Sequence, residues 1–135
     1  MNTARYIIGI DLGTTNCAVT YIDTHEHDII LHSLLIPQHI SANEISKFTT
    51  LPSFVYFPIK DNEETSGAPL VGVYAREQSL LQPDRVIASS KSWLCHNKVD
   101  RRSGILPWHG AEDIEPLTPV HSLLIVFGFI QGWGK

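Results

Sequence analysis

Apolar residues run, alternate and stop along this chain in ways that set its first half apart from its second. Tyr6–Leu12 ("YIIGIDL") is apolar on both faces, the pattern of a strand in a central position of a sheet. Residues 18–23 ("AVTYID") are rich in β-formers and predict a second strand. "THEHD" supplies its turn, and residues 29–35 read as a third strand, so the three make an antiparallel meander. Residues 37–47 are polar and irregular. Residues 51–57 ("LPSFVYF") predict another strand, opened by a proline that cannot donate to a ladder. "KDNEETSGAP" reads as a solvated loop and residues 70–73 as a short strand. Residues 74–82 place Ala, Arg, Glu, Gln and Leu at helical spacing and stop before Pro83. After "PDRVIASSKSWL" comes a loop containing "RRSG" and "LPWHG". Thr118 followed by Pro119 predicts a helix start, a cap and then a first-turn proline. Residues 120–130 are almost wholly apolar.

Composition narrows the class. A chain of 135 residues is one domain or part of one, and 43% hydrophobic residues suffice for a core. The net charge of -4 leaves no basic footprint for nucleic acid. The seven histidines are scattered, with no pair at a metal-ligand spacing, and read as surface and loop residues. Cys17 and Cys95 lie far apart and read as buried structural thiols in a reducing, cytoplasmic compartment. The N-terminus carries neither a secretion signal nor a membrane span. Trp93 and Trp108 read as packing aromatics, Arg101 and Arg102 as a solvated pair, and Asp84 and Arg85 as a turn or helix start.

The chemistry concentrates where the first strand stops, at "DLGTTN". Glycine lets backbone amides approach a ligand closely. Amides exposed in a tight turn form an anion-binding concavity, and the Thr14 and Thr15 hydroxyls add donors. Asp11 would repel a bare phosphate, but it fits a magnesium ion that takes carboxylate, water and phosphate oxygens together. The turn between two strands therefore reads as a phosphate-and-metal site. An ordinary hairpin turn is the competing reading. The spacing is neither that of a P-loop nor that of a dinucleotide fingerprint.

"IGIDLGTTNCAV" resembles the first phosphate motif of the seventy-kilodalton heat-shock, or DnaK-type, chaperones, members of the actin and sugar-kinase ATPase superfamily. "LPSFVYF" is similar to the strand after that family's first meander, and "VGVYAREQSLLQP" to its helix entered from a Val-Gly turn. "IASSKSWL" sits where the family carries its catalytic lysine, and "CHNKVDRRSGILPWHG" is similar to a divergent bacterial branch. The resemblance covers residues 6–119. It implies an α/β fold, an incomplete actin-like (ribonuclease H-like) ATPase lobe with an antiparallel or mixed sheet and flanking helices. It also implies ATP and Mg2+ as cofactors. Asp11 matches the carboxylate that holds hydrated magnesium, and Gly13, Thr14, Thr15 and Asn16 match the phosphate turn. Lys91 matches the lysine that reaches the γ-phosphate and the attacking water; a solvated helix lysine is its plain alternative. A cation there stabilises charge on the transferring group, the main task in phosphoryl transfer.

The resemblance further implies that residues 1–119 supply most of the first lobe of a two-lobed domain. The second phosphate hairpin, the adenosine-binding motif, the later catalytic carboxylates and the peptide-binding domain have no counterparts here. Residues 120–135 depart from the family's charged amphipathic helix. They read as an apolar helix buried against the missing remainder of the lobe, with a membrane-interface anchor or an altered reading frame as alternatives. Three functions follow: an ATPase lobe of a chaperone whose complete form folds client proteins with co-chaperones, a truncated module without catalysis, or part of a sugar or metabolite kinase. The lysine favours the first over the third. Length favours the second for the lone chain, which is expected to show little or no ATPase activity, because few contacts must meet the cost of association.

Overall fold

The computed structural model describes residues 4–60 and 67–132. Most of "KDNEETSGAP" lies outside the described residues, as does the end of the apolar tail. The fold is α/β, with antiparallel sheets flanked by helices.

Strand β1 (Tyr6–Leu12) pairs with β2 (Asn16–Asp23) over its whole length, from Tyr6 opposite Asp23 to Leu12 opposite Cys17. This register places Leu12, Cys17 and Val19 on one face. Cys17 and Val19 are buried there and Leu12 packs against them. Asp11 falls on the opposite face, as strand alternation requires. The expectation of a central β1 is corrected. Among the described residues β1 pairs only with β2, and Ile7, Ile8 and Ile10 are exposed. The centre of the sheet is β2, which also pairs with β3 (His32–Ser33) and β6 (Leu51–Pro52). The third strand of the meander is shorter than expected. Ile29, Ile30 and Leu31 form an unbroken apolar run with no alternation, and they stay exposed off the sheet.

The stretch 37–47, expected to be irregular, contains a hairpin of β4 (Ile36–His39) and β5 (Ile45–Phe48). Its inward positions are Ile36 and Gln38, both fully buried. The polar residue at an inward position hid the alternation. The Gln38 amide nitrogen donates to the Ile36 and Thr50 carbonyls at 3.3 and 2.9 Å, and its carbonyl oxygen accepts from the Val73 amide at 3.0 Å. That amide opens α1 (Val73–Leu81), so a side chain from another element caps the helix. Gly72 precedes it with φ 108°, and a Cβ there would meet Gln38 at 2.4 Å.

The run 51–57 is two strands. β6 pairs with β2, whereas β7 (Phe54–Tyr56) pairs with β8 (Leu70–Val71) and β9 (Val86–Ala88). The chain changes sheet at Ser53. A short 3-10 turn, Pro83–Arg85, lies between α1 and β9. In it Arg85 pairs with Asp113, whose carboxyl is held below the usual range chiefly by that hydrogen bond. Helix α2 (Ser90–Leu94) follows β9, and Pro119–Gly132 forms α3. The Thr118 hydroxyl accepts from the His121 amide at 3.0 Å, the cap the sequence predicts. Pro119, Ser122, Val126 and Ile130 form the buried stripe of α3, with Val126 and Ile130 in the main core beside Leu51, Val55 and Ile87.

Trp93 packs against that core and Trp108 stacks on it at 5.4 Å between ring centroids, leaving Trp108 exposed. Cys17 is buried as expected, but Cys95 is exposed at the end of α2.

Candidate functional site

The turn that joins β1 to β2 is shaped from behind. Gly13 is required by space rather than by dihedral: an added Cβ would lie 2.1 Å from the Asn16 carbonyl oxygen. The Ser53 hydroxyl donates to the Gly13 carbonyl at 2.8 Å, and the Ser53 amide donates to the Thr15 carbonyl at 2.9 Å. Buried Cys17 lies 3.4 Å from the Ser53 hydroxyl oxygen. Ser53 has one hydroxyl proton, already given to Gly13, so the Cys17 thiol is the donor in that second contact.

The outer side of the turn is open. Asp11, Thr14, Thr15 and Asn16 are exposed. Among the described residues Asp11 takes part in no ion pair or side-chain hydrogen bond, and Thr14 and Thr15 have no side-chain partner.

Lys91 arrives from a distant part of the chain. Strand β9 delivers the backbone to Ser89, a non-glycine residue in the left-handed region at φ 55°, and the chain turns there directly into α2. A serine held in that region marks a bend that its surroundings enforce. Ser90 is buried and its hydroxyl bonds that of buried Ser122 on α3, which fixes α2 against α3. The next side chain, Lys91, reaches across, and its amine donates to the Leu12 carbonyl at 3.0 Å. The structure thus brings the amine against the "DLGTTN" turn, 79 residues away in sequence.

The apolar hollow lined by Tyr6, Ile8, Val19, Tyr21 and Leu34 lies toward the opposite end of the hairpin. It has none of the convergent polar groups that a phosphate needs.

Sequence reasoning missed Ser53 and Gln38. The signal for Ser53 was the small polar residue interrupting "LPSFVYF"; Gln38 left none, because an isolated polar residue in a polar stretch looks solvated.

Antiparallel sheets with flanking helices, as found here, fit part of an actin-like ATPase lobe. The Hsp70 protein family model matches residues 7–114, well over half of the chain. The chain therefore belongs to the Hsp70 family. Among the described residues, no helix is long and apolar enough to cross a membrane.

Proposed function

We propose that the turn from Asp11 to Asn16 binds the phosphates of ATP together with Mg2+, as the nucleotide-gripping wall of a chaperone ATPase. One observation carries the reading: the Lys91 amine lies 3.0 Å from the Leu12 carbonyl, at the edge of a turn built around Gly13.

The donor set suits the ligand. Asp11 offers a free, exposed carboxylate, a hard oxygen donor of the kind magnesium prefers. Among the described residues no three His, Cys, Asp or Glu side chains gather at a metal-binding spacing. A cation here would therefore take its remaining ligands from water and phosphate oxygens. Magnesium so bound would neutralise phosphate charge. The turn would offer the Thr14 and Thr15 amides and hydroxyls, with Asn16 closing it. Lys91 would exchange the Leu12 carbonyl for a γ-phosphate oxygen, a charge-assisted and stronger bond.

Family membership supports the wider role, ATP-driven folding of client proteins with co-chaperones in the complete protein. It also favours that role over a sugar or metabolite kinase. The described turn and lysine contact phosphate from one side, so weak binding without sustained turnover is the expectation for this chain.

Titration of the chain with Mg-ATP and Mg-ADP, followed by NMR, tests the reading. Lys91→Ala should weaken ATP binding about tenfold or more and ADP binding much less, because the amine serves the terminal phosphate; the loss of one bond to a charged group is worth about 1.5–3 kcal/mol. A wild-type chain that ignores both nucleotides, or equal losses for the two on Lys91→Ala, would overturn the assignment.

A further inference from the structure

A planar trans peptide carries its C=O and the following N–H on opposite sides. The Gly13 carbonyl is drawn inward by the Ser53 hydroxyl at 2.8 Å, and Ser53 is buried. The Thr14 N–H must then point outward, away from Ser53. Among the described residues it has no partner.

We propose that Ser53 is a positioning residue for anion binding: it locks the Gly13–Thr14 peptide in the orientation that presents the Thr14 amide to a phosphate. The proposal rests on the nucleotide reading above and deepens it. Without the hydroxyl the Gly13 carbonyl loses its anchor, and this peptide can rock out of that orientation, since Gly13 carries no Cβ to hold its side of the link. A rotated peptide no longer aims the Thr14 amide at the phosphate and weakens that bond. Ser53 suits the task because it sits where the chain leaves the β2 sheet for the β7 sheet. Its backbone amide fixes Thr15 in the same place, 2.9 Å from the Thr15 carbonyl. The Cys17 thiol, 3.4 Å away on the buried side, supplies a donor to the Ser53 oxygen and so leaves the hydroxyl proton committed to Gly13.

The test compares the wild-type chain with Ser53→Ala, Ser53→Thr and Val55→Ala by NMR titration with Mg-ADP. Val55 is a fully buried core residue whose side chain makes no hydrogen bond, and it controls for lost stability. In the wild-type chain the Thr14 amide should shift on addition of Mg-ADP. Ser53→Ala should raise the Kd about tenfold, the loss of one preorganised donor to an anion, and abolish the Thr14 shift. Ser53→Thr, which keeps the hydroxyl, should restore both. Val55→Ala should unfold more easily yet bind as the wild type does. Unchanged affinity and an unchanged Thr14 shift in Ser53→Ala would overturn the proposal. So would a wild-type turn that responds everywhere except at the Thr14 amide; that result needs no variant to fold, and it leaves the nucleotide reading standing. A wild-type chain in which no residue of the turn responds overturns the nucleotide reading and, with it, the role of Ser53.

Discussion

Gly13→Ala is the most direct probe of the turn, because the obstacle is a single backbone atom. The new Cβ would lie 2.1 Å from the Asn16 carbonyl oxygen, where real Cβ atoms do not approach within 3.0 Å. The two arms of the turn must part by roughly 1 Å, and a close-packed surround does not absorb that silently. The atoms that would move are those held by Ser53, at 2.8 Å to the Gly13 carbonyl and 2.9 Å to the Thr15 carbonyl. Breaking both bonds costs about 2 kcal/mol at the usual net worth of about 1 kcal/mol each. Alanine restricts the unfolded chain and returns about 0.4–1 kcal/mol. The net loss is therefore about 1–2 kcal/mol, a sizeable part of a stability of about 5–15 kcal/mol. Gly9→Ala is the internal control in the same hairpin, since its Cβ would meet only the Thr20 hydroxyl oxygen, at 3.2 Å. Urea unfolding followed by circular dichroism should show Gly13→Ala well below the wild type and Gly9→Ala within about 0.5 kcal/mol of it. Equal stability of Gly13→Ala and the wild type would mean that Gly13 does not close the turn and that Ser53 does not hold it shut.

Gln38→Met keeps the volume and removes three hydrogen bonds, leaving the Val73 amide and the Thr50 carbonyl without their side-chain partner; a loss of about 2–4 kcal/mol is expected in the same unfolding experiment. The Asp113 carboxyl is held below its ordinary range, first by its hydrogen bond from Arg85. A depressed carboxyl stabilises the fold above its unfolded value and loses that contribution as pH falls through the folded value. A plot of Tm against pH should therefore fall on the acid side, and Asp113→Asn should flatten part of that fall.

The first hairpin was legible because its signal is local: β-forming residues, a glycine turn and a register that keeps Cys17 and Val19 inward. Its place in the sheet was not. An apolar strand on both faces predicts a centre, yet nothing among the described residues covers the outer edge of β1. The β4–β5 hairpin was hidden because its inward polar residue is satisfied by backbone groups from Ile36, Thr50 and Val73, which no local pattern announces. The run 51–57 looked like one strand because its division depends on what Ser53 bonds to, some forty positions earlier. Family resemblance pointed to Lys91. Its reach to Leu12 depends on the left-handed bend at Ser89, which the serine itself does not signal.

The hydroxyl pair between Ser90 and Ser122 gives the last helix a mechanical share in the lysine's position. A tilt or slide of α3 would drag the peptide beside Lys91 and swing the cation like the short arm of a lever, although α3 itself bears no Asp, Glu, Lys or Arg. Surroundings that press on this greasy rod would then tune how far the amine stands from the bend it faces.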